Sequence, residues 1–194
     1  MPMNQDMAAF FDELAPAWDD VPTEYETREK LVALMGLPRG SVVADIGCGR
    51  GVLFEHLLKI DPAKIIAVDV SAAMLCFAAE QYNDHRLAYV HGDFLDAQLP
   101  MLDAAVFFNS YPHFLDKEAL AEKLSRTLKK GGALIIAHSQ SRAKINARHC
   151  GERTSKLSIP LESAKEEADK FQMFFSTDML IDSGEIYFIK MRRM

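Results

Sequence analysis

Ten residues constrain this chain more than any others: Val42-Val43-Ala44-Asp45-Ile46-Gly47-Cys48-Gly49-Arg50-Gly51. The apolar run reads as an interior parallel strand. Glycine at every second position after it reads as a turn that lets backbone amides approach a ligand with no Cβ in the way. Val52-Leu53-Phe54-Glu55-His56-Leu57-Leu58 continues as a helix. Such a strand–loop–helix corner suits a nucleotide-like group, with a ligand-free glycine turn as the plain alternative. The dinucleotide fingerprint Gly-x-Gly-x-x-Gly seats a pyrophosphate on the helix N-terminus. Here Gly51 comes one residue early and Asp45 stands before the turn, which favours a ligand with a cationic amino acid end.

Strand and helix signals then alternate. Lys64-Ile65-Ile66-Ala67-Val68-Asp69-Val70 is a second strand ending in an acid, 24 positions past Asp45. That is near the ~20-residue offset at which a carboxylate meets both ribose hydroxyls in βαβ nucleotide sites. Ser71 is a suitable N-cap for a helix over 72–81, with Met74, Leu75 and Ala78 facing the sheet. Leu87–His91 is a third strand, closed by Gly92-Asp93-Phe94. Asp93 either accepts from an adenine amino group, with Phe94 over the ring, or caps the following turn. Leu102–Phe108 is a fourth strand, apolar but for Asp103, that empties into Asn109-Ser110-Tyr111-Pro112-His113-Phe114. A helix over 116–128, stopped by Lys129-Lys130-Gly131-Gly132, precedes a fifth strand, Ala133–His138.

Five such alternations imply an α/β fold of the Rossmann-like, doubly wound kind, with ligand groups at strand C-terminal ends. Asp45, Asp69, Asp93, Asn109 and His138 all fall at such ends. Ahead of the first strand, Phe10, Phe11 and Leu14 share a helical face before Pro16, and a second amphipathic run covers 24–35. This preamble is either an edge cover or a lid. Residues 139–158 are polar and basic, too long for a plain connection. A charged helix over 161–171 and an antiparallel hairpin, 174–181 and 185–191, close the chain.

The 194 residues suit one domain: a helical cover over 1–38, a core over 41–138, a substrate-side insert over 139–171 and a terminal hairpin over 172–194. A net charge of −6 leaves no overall basic field for a nucleic-acid backbone. Cys48, Cys76 and Cys150 make neither a disulfide framework nor a metal pair, which fits a cytoplasmic protein. His138, His149 and Cys150 match no trusted metal spacing, so no metal is expected. No stretch reaches the ~18 apolar residues of a membrane span.

In order and detail these features resemble the class I S-adenosylmethionine-dependent methyltransferases, over residues 41–138 and the closing hairpin. Leu124–Gly132 resembles that family's helix–glycine–glycine approach to strand five. Phe11–Asp19 is similar to the opening of quinone-biosynthesis C-methyltransferases. The resemblance implies a seven-stranded, mostly parallel sheet, S-adenosyl-L-methionine as cofactor and a small-molecule methyl acceptor. By it, Asp45, Gly47, Gly49 and Gly51 hold the methionine part and Asp69 the ribose. Val70 is cofactor-binding, Met74 flanks the adenine, Asp93 and Phe94 reach its amino group and edge, and Asn109 meets the cofactor's amino end through its backbone. Asn109-Ser110-Tyr111-Pro112 departs from the Asn/Asp-Pro-Pro-Tyr loop of amino-methylating enzymes. Tyr111, His113 and His138 are the candidate catalytic groups, though His138 suits a structural role equally. Arg142, Asn146 and His149 share a helical face if 141–149 is helical, as an acceptor cradle or as a solvated basic face. A non-catalytic cofactor-binding protein and a nicotinamide-dependent oxidoreductase are the alternatives, and an oligomer is possible.

Overall fold

The computed structural model describes residues 2–18 and 25–194. Asp19 and Glu24, at the ends of the two N-terminal runs read above, lie outside these residues. The described chain divides into two compact units, Met1–Gln98 and Leu99–Met194. Its seven strands form one mixed, mostly parallel sheet.

The first unit holds the helices α1 (Pro2–Leu14), α2 (Tyr25–Met35), α3 (Phe54–Lys59) and α4 (Ala72–Gln81). Its strands are β1 (Val42–Ile46), β2 (Lys64–Asp69) and β3 (Leu87–His91), paired in parallel in the order β3-β2-β1. Val43, Ala44, Ile46, Ile65, Ala67 and Val68 are almost wholly buried, as strands covered on both faces require. α4 starts where the sequence places it: the Ser71 side chain accepts the Met74 amide.

The second unit contains β4 (Leu102–Phe108), α5 (Lys117–Thr127), β5 (Leu128–His138), α6 (Arg142–Arg148), α7 (Ala164–Asp169), β6 (Phe175–Asp182) and β7 (Tyr187–Arg193). β4 and β5 are parallel, whereas β7 runs antiparallel to both β5 and β6, giving the order β4-β5-β7-β6. The terminal hairpin therefore follows the sequence pattern.

Four boundaries differ from the sequence reading, each for a local reason. α3 begins at Phe54 because residues 51–53 are spent on a turn closed by the Phe54 amide on the Gly51 carbonyl. No helix joins β3 to β4; the turn after β3 closes with the Asp96 and Ala97 amides on the Asp93 carbonyl. β5 starts at Leu128, not Ala133. Residues 129–132 bulge between the pairs Leu102↔Leu128 and Ala104↔Ala133, with Gly131 at φ +78°. α7 is shorter than the charged run suggested, because a capping box of Ser163 and Glu166 fixes its start.

Candidate functional site

In the first unit the glycine loop leaves β1 and meets the end of β2. Asp69 ties the two together: Oδ2 accepts the Gly49 amide at 2.8 Å and Oδ1 accepts the Ser71 amide at 2.9 Å. A carboxylate has about four acceptor positions, so capacity for two hydroxyls is left. Gly47, Gly49 and Gly51 all have positive φ, 69°, 54° and 82°. Their neighbourhoods differ. A Cβ on Gly49 would meet nothing within 4 Å, whereas one on Gly51 would lie 2.5 Å from the Phe54 ring. Gly49 thus leaves room for a ligand and Gly51 makes room for the protein's own core.

Asp45 is 1% exposed, and its Oδ1 has no hydrogen-bond partner among the described residues. Burial, reinforced by the nearby Asp69, pushes its carboxyl up to about 7. Burial also raises Asp69, against the two amides that favour its charge. An orphaned carboxylate oxygen beside a second acid calls for a cationic or hydrogen-donating ligand. This pair of acids, with the open space at Gly49, fits a sulfonium nucleoside with an amino acid end.

The N-terminal segment is fastened to this corner. Asp12 Oδ1 accepts the Ser71 hydroxyl at 2.6 Å and the Ala73 amide at 3.0 Å, which holds its carboxyl below the usual range. The Arg50 guanidinium donates to the Trp18 carbonyl at 2.9 Å and lies 4.6 Å from the Phe77 ring centroid. Asp12 and Arg50 were not singled out from sequence as ligand-side residues. Their partners lie 59 and 32 residues away, and nothing local marks such pairs. Met74 and Phe94 are buried, 2% and 1% exposed. Asp93 Oδ1 accepts the Leu95 amide at 2.9 Å, so this side chain caps the turn after β3. The Val70 carbonyl lies 3.1 Å from His91 Nε2.

In the second unit Asn109, at φ +54°, joins the ends of β4 and β5: Nδ2 donates to Ser139 Oγ at 3.0 Å and Oδ1 accepts the Ser139 amide at 3.1 Å. Tyr111 is fully buried, with its hydroxyl on Glu167 Oε2 at 2.7 Å. Burial and the adjacent Glu167 push the phenol far up. Lys117 Nζ lies 3.4 Å from the Tyr111 ring centroid, and burial draws it down to about 7. His113 Nδ1 sits 2.8 Å from the Leu157 carbonyl, which only accepts, so Nδ1 carries the proton. His113 and His149 are 5.1 Å apart, ring centre to ring centre, and edge-on. His138 is wholly buried with neither ring nitrogen bonded among the described residues, its ring 5.8 Å from Tyr187. Burial lowers His138 to about 3 and His113 to about 4.

Of the expected acceptor cradle, residues 142–148 are helical, but the polar ends are engaged. Asn146 exchanges two hydrogen bonds with the Leu161 backbone, and Arg142 pairs with Asp182 at 3.0 Å. Glu167, Lys117 and Tyr187, central to this region, carry no motif; only the fold brings them together. Among the described residues no group of three or more His, Cys, Asp or Glu could hold a metal ion, and no helix is long and apolar enough to cross a membrane.

The sheet and the acid-flanked glycine corner agree with the resemblance to class I S-adenosylmethionine-dependent methyltransferases. Residues 43–132 match the family model described as a methyltransferase domain. A S-adenosylmethionine-dependent methyltransferase of Aquifex aeolicus is similar over 94% of this chain and 98% of its own, with TM-score 0.76 at 19% identity. The N-methyltransferase NodS of Bradyrhizobium japonicum, solved with S-adenosyl-L-homocysteine, matches with TM-score 0.68 at 16% identity over 90% of this chain and 89% of its own. In sequence, a malonyl-[acyl-carrier protein] O-methyltransferase of Pectobacterium atrosepticum is 35% identical over 56% of this chain and 43% of its own length. A sterol 24-C-methyltransferase of Aspergillus fumigatus is 28% identical over 53% of this chain. The chain spans 29% of that sterol enzyme and 48% of an uncharacterized methyltransferase of Mycobacterium tuberculosis.

Proposed function

We propose that this protein transfers a methyl group from S-adenosylmethionine to a small-molecule acceptor. The observation that carries the reading is the orphaned, buried Oδ1 of Asp45 beside Asp69 at an open glycine turn. In this reading Asp45, Gly47 and Gly49 take the amino acid end of the cofactor, and Asp69 its ribose. Gly51 shapes the loop from beneath. Val70, Met74, Asp93 and Phe94 border the adenine, with Asn109 at the amino end.

When bound, the cofactor supplies a sulfonium methyl already activated for in-line displacement, so the protein's task is orientation, exclusion of water and handling of a proton. His138 and His113, neutral at physiological pH, are the groups suited to the proton. Tyr111, its hydroxyl on Glu167, is the third candidate, beside Lys117. Arg142, Asn146 and His149 shape the acceptor side, Arg142 and Asn146 through the contacts that seat α6. The similarity to enzymes named for malonyl-carrier, sterol and ubiquinone methylation supports a small-molecule acceptor of lipid or acyl character.

Calorimetry with S-adenosylmethionine, S-adenosylhomocysteine and NAD tests the cofactor, and tight binding of NAD alone would reverse it. Methyl release over a broad acceptor panel tests the activity; binding without turnover would assign the chain as a cofactor-binding protein instead.

A further inference from the structure

We infer that α6 and the short 3-10 turn after it, Thr154–Lys156, form a docking surface for an acidic helix of a partner protein. The surface lies wholly within the second unit and is independent of the methyl-transfer reading.

Residues 139–158 hold Arg142, Lys144, Arg148, Arg153 and Lys156 against one acid, Glu152, a charge of +4 in a chain of −6. The remaining residues therefore carry −10. The packing of α6 decides which cations are available. Ile145 is its one buried side chain, and Arg142 and Asn146 are spent on Asp182 and on the Leu161 backbone. Ala143, Lys144, Ala147 and Arg148 make up its exposed side, two small residues beside two cations one turn apart. Lys156 is exposed as well, and none of Lys144, Arg148 and Lys156 pairs with an acid among the described residues. The frame beneath them is fixed: the Ser155 amide closes on the Gly151 carbonyl at 2.8 Å, the Ile159 amide on the Pro112 carbonyl at 2.8 Å, and Leu157 is buried. A preformed surface loses little freedom when a partner arrives.

Three kinds of anionic partner carry the charge to match this strip, and the residues separate them. A bilayer surface is held by cations together with apolar side chains that enter it, and 139–158 has no large exposed apolar residue. A single-stranded nucleic acid stacks its bases on aromatic rings, and the segment contains no Phe, Tyr or Trp. Any long polyanion also runs off the strip onto the acidic remainder. An acidic helix meets neither objection. It is short, and its carboxylates recur every three or four residues, the spacing of Lys144 and Arg148. Ala143 and Ala147 let its backbone come close. The acidic remainder repels such a partner elsewhere, which steers it to this strip.

Fluorescence anisotropy with the full chain and a synthetic helical peptide bearing glutamates along one face tests this. The peptide should bind, its glutamine counterpart should not, and added salt should weaken the complex. Lys144→Glu, Arg148→Glu and Lys156→Glu together should lower the affinity about 10-fold or more, with thermal melting unchanged. Lys144→Arg with Lys156→Arg keeps the charges and should bind as the parent does. Equal affinity of the parent and the charge-reversed variant, or no binding at all, overturns the inference. Stronger binding to a heparin oligosaccharide or to phosphatidylglycerol vesicles overturns it too, and assigns the strip to a polyanion or a membrane. Sedimentation in which the parent self-associates and the charge-reversed variant does not overturns it in favour of a second copy of this chain.

Discussion

The Asp69 carboxylate grips the Gly49 amide at 2.8 Å, twenty residues back along the chain. One side chain therefore sets the shape of the glycine turn and, in our proposal, meets the ribose. The two roles separate experimentally.

Asp69→Ala should weaken S-adenosylhomocysteine binding by about 1–3 kcal/mol, the scale of a lost charged hydrogen bond. Isothermal calorimetry reads this directly, and unchanged affinity would remove Asp69 from the site. Asp69→Asn keeps an acceptor for the Gly49 amide, so its loss of affinity should be smaller.

Asp45 makes the stability of the ligand-free protein fall with rising pH. Its folded carboxyl titrates near 7, above the unfolded value of about 3.9, so between these the folded state holds a proton that the unfolded chain has released. The penalty is absent below the lower value and complete above the higher one. Asp45→Asn should therefore melt above the parent at pH 8, by roughly 2–4 °C per kcal/mol relieved, and level with it near pH 4. A gap of equal size at both pH values would refute the assignment. By the same sign, binding of a cationic cofactor should tighten from pH 6 to 8.

Gly49→Ala and Gly51→Ala should fail in different ways. Both place alanine at positive φ, costing about 1 kcal/mol or more. Only at Gly51 does the new methyl strike Phe54, which should add about 1–3 kcal/mol in urea unfolding. Gly49→Ala should instead show its larger effect on cofactor affinity.

Tyr111→Phe leaves Glu167 without its buried hydroxyl donor and should cost about 1–3 kcal/mol of stability with cofactor affinity unchanged. Normal stability together with lost turnover would make Tyr111 a reacting group instead of a support.

The strands, the caps and the first corner were legible in the sequence because each depends on neighbours within a few residues. Apolar runs end at Asp45 and Asp69, and Ser71 stands where α4 needs its cap. The bulge at 129–132 was not, because it answers the spacing of β4, a distant partner. Asp12 at Ser71, Glu167 at Tyr111 and Lys117 over the Tyr111 ring were equally hidden. Each is a long-range or cross-element pairing of ordinary residues. The face read for Arg142, Asn146 and His149 supposed a helix over 141–149, whereas α6 ends at Arg148, and periodicity says nothing of side chains already bound elsewhere.

Gly51 carries a lesson for reading chains of this kind. Its want of a side chain answers an aromatic neighbour three residues on, so a pattern search that counts it toward ligand recognition is partly counting carpentry. A homologue with a smaller residue in place of Phe54 should be free to lose that glycine's narrow fit while keeping its nucleoside.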